Sequence, residues 1–122
     1  MEIKDIKFKA KSLDNNGGWI IGDLVHSTSY VGISYPSSAF PDVPVVHRVD
    51  PSTVCQFTGQ TDKNGTPIYE GDVVTYKDNN AERRGIINWD SKAVAFCFGC
   101  DFLCNFPSEN MVIIGNKFEN AK

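Results

Sequence analysis

The chain has 122 residues, 41% of them hydrophobic and 22% charged, with 12 Lys and Arg against 15 Asp and Glu for a formal net charge of −3. That length predicts one domain with a core that needs no disulfide or metal, burying roughly two-thirds of the surface of the unfolded chain. The composition excludes a disordered polyelectrolyte. The acidic balance removes the general electrostatic drive towards nucleic acid or anionic membranes, while leaving a local patch open.

The start, MEIKDIKFKAK, carries no apolar run of signal-peptide length, and no stretch approaches the ~18 apolar residues of a spanning helix. The expectation is a cytoplasmic protein without membrane contact, whose four cysteines are reduced thiols. Ten glycines and six prolines are spread along the chain and interrupt helical periodicity. Between them lie short runs rich in Val, Ile, Thr, Phe and Tyr, the pattern of an all-β protein with little helix.

In chain order, Ile6, Phe8 and Ala10 alternate with Lys7, Lys9 and Lys11, which predicts a half-buried strand with one apolar and one cationic face. Residues 14–18, Asp-Asn-Asn-Gly-Gly, read as a turn, and Trp19–Val25 as the second strand of a hairpin. Pro36, Pro41 and Pro44 argue against a central strand nearby, so residues 26–50 read as an extended loop with a strand near Val45–Val49. Asp50-Pro51-Ser52-Thr53 reads as one helical turn with Asp as its cap. Val54–Thr58, Asp72–Tyr76, Arg84–Trp89, Ala93–Phe98 and Met111–Ile114 complete the predicted strands, with turns at 77–80 and 90–92. Short strands in meander order favour a small, highly twisted sheet or SH3-like barrel. The whole is read as one domain over 1–122, with a hairpin and loop region at 1–50 and a barrel-like region at 54–115.

Residues 56–74, QFTGQTDKNGTPIYEGDVV, are the most punctuated stretch and invite a reading as a site. A calcium loop beginning at Asp62 fails, because Gly65 falls at the fourth position, Pro67 holds the sixth and Val73 the twelfth. No phosphate-loop or dinucleotide pattern is present. Turn chemistry accounts for each glycine, with Asn64-Gly65 suiting a primed hairpin turn.

This stretch, with VDPSTV before it and GIINWD after it, resembles the central block of the YopX-like proteins of phages and prophages. IKFKAK resembles the opening strand of that family, and VIIGNKFEN its closing segment. The resemblance implies a β-rich, barrel-like fold and a phage or prophage origin, so the expected cytoplasm is that of a bacterial host. It implies no activity.

Other constellations are weaker. Cys97, Cys100 and Cys104 have a spacing that zinc or an iron–sulfur cluster uses, with Cys55, His26 and His47 as further donors, but no second knuckle pairs with them. Packing among Phe96, Phe98, Phe102 and Phe106 is the favoured reading of these thiols. Asp23, His26, Ser27 and Ser29 contain the residue types of a hydrolase triad without a nucleophile elbow. Trp19, Tyr30, Tyr35, Tyr69, Tyr76 and Trp89, with Lys7, Lys9, Lys11, Arg83 and Arg84, could serve single-stranded nucleic acid. No residue is assigned a catalytic, cofactor or metal role. The leading expectation is a non-catalytic phage accessory protein that associates with an unknown protein or with itself, Ala93–Phe98 being an uncharged β-prone run that is either buried in its own core or available to a partner. A nucleic-acid-binding barrel in phage replication or regulation is the alternative.

Overall fold

A computed structural model describes residues 2–14, 17–40, 42–79 and 81–119. The chain forms two compact units, residues 1–57 and 58–122. The protein is mainly β, and the helical pieces among the described residues are 3₁₀ turns of three residues, such as Ile3–Asp5 and Pro51–Thr53.

The first unit contains β1 (Phe8–Lys11), β2 (Trp19–His26), β3 (Val31–Pro36), β4 (Pro44–Arg48) and the start of β5 (Cys55–Thr61). Their order is β4-β3-β2-β1-β5, and the pairs are antiparallel. The predicted alternation in β1 holds. Ala10 is fully buried opposite Ile20, while Lys9 and Lys11 lie on the other face opposite Ile21 and Trp19. Ala10, Ile33 and Val49 form the core, with Phe8, Ile20, Val31 and Val54 packed against them.

Strand β2 changes partner along its length, pairing β1 through Trp19–Gly22 and β3 through Asp23–His26. At the changeover, a Cβ on Gly22 would sit 2.2 Å from the Ser34 carbonyl oxygen, so the strands cross too closely there for any side chain. The exit of β4 is tied back to β1 by the Ser12–Val49 bridge and by Asp50 N donating to Lys11 O at 2.8 Å. Asp50 caps the Pro51–Thr53 turn as predicted, its Oδ1 accepting from Ser52 N at 3.0 Å.

Residues 26–50 depart from the predicted loop. They form the β3–β4 hairpin, and β3 is interior. Pro36 and Pro44 face each other at the last pair of the ladder. A proline there displaces no interior hydrogen bond, so it ends a strand without excluding one. Pro41 lies outside the described residues. In the turn after β1, Gly17 has φ +74° and donates to Asp14 O; Asn15 and Asn16 are outside the described residues.

The second unit holds the rest of β5, then β6 (Pro67–Tyr69), β7 (Asp72–Lys77), β8 (Glu82–Asp90), β9 (Ala95–Phe98), β10 (Asp101–Phe102) and β11 (Met111–Asn116). β5 and β6 are a hairpin, and the remaining strands form an antiparallel sheet in the order β10-β9-β8-β7-β11. Ile68, Val74, Ile87, Phe98, Leu103, Phe106 and Met111 are its buried core. Phe106 meets Tyr76 and Phe98 edge to face, with centroids 5.0 and 4.9 Å apart. β8 also changes partner, from β7 over Glu82–Ile86 to β9 over Ile87–Asp90.

The strands expected at Asp72–Tyr76, Arg84–Trp89 and Met111–Ile114 form with extended ends, Ala93–Phe98 is shortened to β9, and β6 and β10 join them. β9 is not an edge: it lies between β8 and β10, and Ala93-Val94 belong to the preceding turn, where Asp90 Oδ1 accepts from Lys92 N and Ala93 N. Neither sheet closes into a barrel.

Candidate interaction surfaces

The punctuated stretch is a structural device. Asp62 is 4% exposed. Its Oδ1 accepts from Asn64 N at 2.9 Å and Thr66 N at 3.0 Å, and its Oδ2 accepts from Ile113 N at 3.2 Å. Lys63 N donates to Met111 O at 2.9 Å. The turn therefore satisfies backbone groups on the outer edge of β11 that would otherwise be open to another strand. The turn itself is not primed. Gly65 N donates to Asp62 O, Gly65 has φ +81°, and Asn64 is not in the positive-φ region. This is a type I turn closed by a left-handed glycine, which puts the demand for positive φ on Gly65 alone.

The second half of the stretch works in the same way. Asp72 is 1% exposed; its Oδ2 accepts from Tyr69 N at 2.8 Å and its Oδ1 from Asn116 Nδ2 at 3.0 Å. Gly71, at φ +91°, donates to Ile87 O and accepts from Lys117 N. Burial pushes the Tyr69 phenol up, and the Asp72 carboxylate adds to the effect.

The cysteines divide. Cys97 and Cys55 are buried, as packing requires, but Cys100 and Cys104 are exposed. Gly99 and Cys100 form the two-residue turn between Phe98 and Asp101, with Gly99 at φ +63°, which carries Cys100 out of the core. Cys104 lies in the 3₁₀ turn Leu103–Asn105, where Leu103 takes the buried position. Burial, then the Asp90 and Asp101 carboxylates, raise the Cys97 thiol above its ordinary value. Among the described residues no three His, Cys, Asp or Glu side chains are grouped as metal ligands would be.

The imagined triad does not assemble. Asp23 and His26 are three residues apart on one regular stretch of β2, so they point to opposite faces. His47 is on β4, with Nε2 4.0 Å from Asp14 Oδ2. A concavity of about 530 Å³ lies on the second unit and is lined by Val73, Arg84, Gly85, Ile86, Asn88 and Gly99. It offers aliphatic surface with a single guanidinium and amide, and no pair of titratable groups to move a proton.

The aromatic residues are mostly engaged. Tyr69 is buried, and Tyr76 packs on the core. Trp89 meets Phe96 edge to face at 5.1 Å. Arg83 lies 5.2 Å over both Phe98 and Phe106, with Nη1 3.2 Å from Asp101 Oδ2. Arg48 covers Tyr30 at 4.8 Å. Lys9 and Lys11 lie 4.7 and 5.5 Å over Trp19, and Lys7 lies 4.6 Å over Phe57.

One apolar feature escaped the sequence reading. At the tip of the β3–β4 hairpin, Phe40 is 68% and Val43 58% exposed. Beside them, Ser37 Oγ accepts from Ala39 N and Phe40 N, Val43 N donates to Phe40 O, and Ser37 N donates to Val43 O. The signal available was a phenylalanine inside a Ser- and Pro-rich segment, a composition that reads simply as loop.

A family model described as YopX protein matches residues 7–122, a span that takes in both units. No curated protein and no solved structure matches the chain.

Proposed function

Because the chain belongs to the YopX family, we propose that it is a non-catalytic phage or prophage accessory protein that acts in the host cytoplasm by associating with another protein. The observation that carries this reading is the hairpin tip. Phe40 and Val43 stand out from the first unit on a turn held by Ser37. Exposed apolar side chains mark association surfaces, and aromatic anchors dominate protein interfaces. No helix among the described residues is long and apolar enough to cross a membrane.

The test is affinity capture from induced or infected cells with nuclease treatment, comparing the native chain with Phe40→Ser. A protein retained after nuclease and lost with Phe40→Ser supports the reading. Retention that disappears with nuclease, or that is indifferent to Phe40, overturns it.

A further inference from the structure

We propose that the concavity on the second unit is a binding site for a small aliphatic carboxylate, its charge held by the Arg84 guanidinium and its hydrocarbon lying on Ile86 and Val73. Binding there asks nothing of the hairpin tip and stands apart from the proposed association with a protein.

The site forms where β8 passes from β7 to β9. Ile86, opposite Val73, is the last residue of β8 paired with β7, and Ile87 is the first paired with β9. Ile87 is fully buried. Arg84, Ile86 and Asn88 are alternate residues of the strand, so they share its opposite face. With Val73 they line a volume of about 530 Å³, to which Gly85 and Gly99 contribute backbone without a side chain. Small-molecule sites typically fall between roughly 300 and 1,000 Å³.

The polar groups of this lining are uncommitted. Arg83, one residue earlier, is paired with Asp101 at 3.2 Å and lies over Phe98 and Phe106. Arg84 has neither kind of partner. Among the described residues its guanidinium makes no ion pair, ring contact or hydrogen bond, and the Asn88 side-chain amide makes no hydrogen bond. Ile86, between them on the strand, is 44% exposed. An apolar side chain beside a free cation is completed by an anion with a hydrocarbon body.

A planar carboxylate accepts two parallel hydrogen bonds from a guanidinium. A phosphate dianion would bring a second charge, left unpaired against aliphatic walls where desolvation is costly. Asn88 is at most about 13 Å along the strand from Arg84, so a chain of octanoate's length, anchored at the guanidinium, runs across Ile86 towards the amide.

The test is amide chemical-shift mapping of the full chain by NMR at about 150 mM salt, with octanoate, octylamine and inorganic phosphate as probes. Octanoate, kept below its micelle-forming concentration, should give saturable shifts centred on Val73, Gly85, Ile86 and Gly99. Arg84→Gln should weaken that binding at least about tenfold, as loss of a charge-assisted pair does. Phe40→Ser should leave it unchanged. The absence of saturable shifts at those amides overturns the proposal, as do shifts centred on the hairpin tip or octylamine or phosphate binding as tightly as octanoate. Full octanoate binding by Arg84→Gln, with its spectrum otherwise native, overturns it too. Should Arg84→Gln fail to fold, Ile86→Ser takes its place: weaker octanoate binding supports the site, and unchanged binding sinks it.

Discussion

Each unit is organised by a long strand that changes partners, β2 in residues 1–57 and β8 in residues 58–122, and each has a glycine at or close to the changeover. The space each glycine leaves is used differently. Gly22 leaves it to a backbone carbonyl, Ser34 O, whereas Gly85 leaves it to the Phe98 ring, whose Cε1 would lie 2.8 Å from an added Cβ. The second unit thus turns its close crossing into an aromatic core of seven buried residues, and the first has three. Among the described residues, nine large hydrophobic side chains are exposed in the first unit and five in the second. The same strand geometry therefore supports a self-sufficient core in one unit and a thin core with apolar and cationic surface in the other. Association is expected on the first.

The largest test of this contrast is Phe98→Ala, expected to cost roughly 3–5 kcal/mol, against roughly 0.5–1.5 kcal/mol for Ile33→Val in the smaller core. Denaturant titration measures both, and hydrogen exchange should show β8 losing protection in the first variant. A smaller cost at Phe98 than at Ile33 would break the contrast.

Next come the glycines. Gly22→Ala must move backbone, while Gly85→Ala need only displace a ring, so the Gly22 variant should be the less stable of the two. Overpacking of this kind costs typically about 1–3 kcal/mol. Equal melting midpoints would show that the two crossings are equally tight.

Gly65→Val isolates conformation from packing, because nothing lies within 4 Å of an added Cβ there. Its expected cost, roughly 1–2 kcal/mol, comes from placing a β-branched residue at positive φ. An unchanged unfolding free energy would mean that the turn re-forms without the left-handed residue.

The smallest effect is alkaline. The Tyr69 phenol is raised in the folded chain by burial and then by Asp72, so folding favours its protonated form. Its contribution is constant below the ordinary tyrosine value of about 10 and is lost as pH rises from there through the folded value. Stability of the native chain should fall more steeply above that point than stability of Tyr69→Phe. Coincident curves would remove Tyr69 from the account.

Much of the second unit was legible because its strands are short β-branched and aromatic runs bounded by turn residues, a local signal that burial reinforces. β3 was not legible. Val31–Pro36 carries a proline, and only its register against Pro44 shows that the proline closes the ladder instead of interrupting it. β10 is two residues long and exists only because Gly99 folds it onto β9.

The candidate surfaces follow the same division. The lysine alternation of β1 could be read directly, since a period of two is a property of the strand itself. That Lys9 and Lys11 would share one indole depended on the register that sets Lys11 opposite Trp19. The cysteines show the limit most clearly: spacing grouped Cys97, Cys100 and Cys104, but one turn and one 3₁₀ turn placed the first inside and the other two in solvent. By itself the sequence determined strand faces, turn positions and family, because these depend on neighbours along the chain. Only the tertiary structure decided which strands are interior, which edges are capped by Asp62 and which apolar side chains remain exposed, because these depend on pairings between residues far apart in sequence.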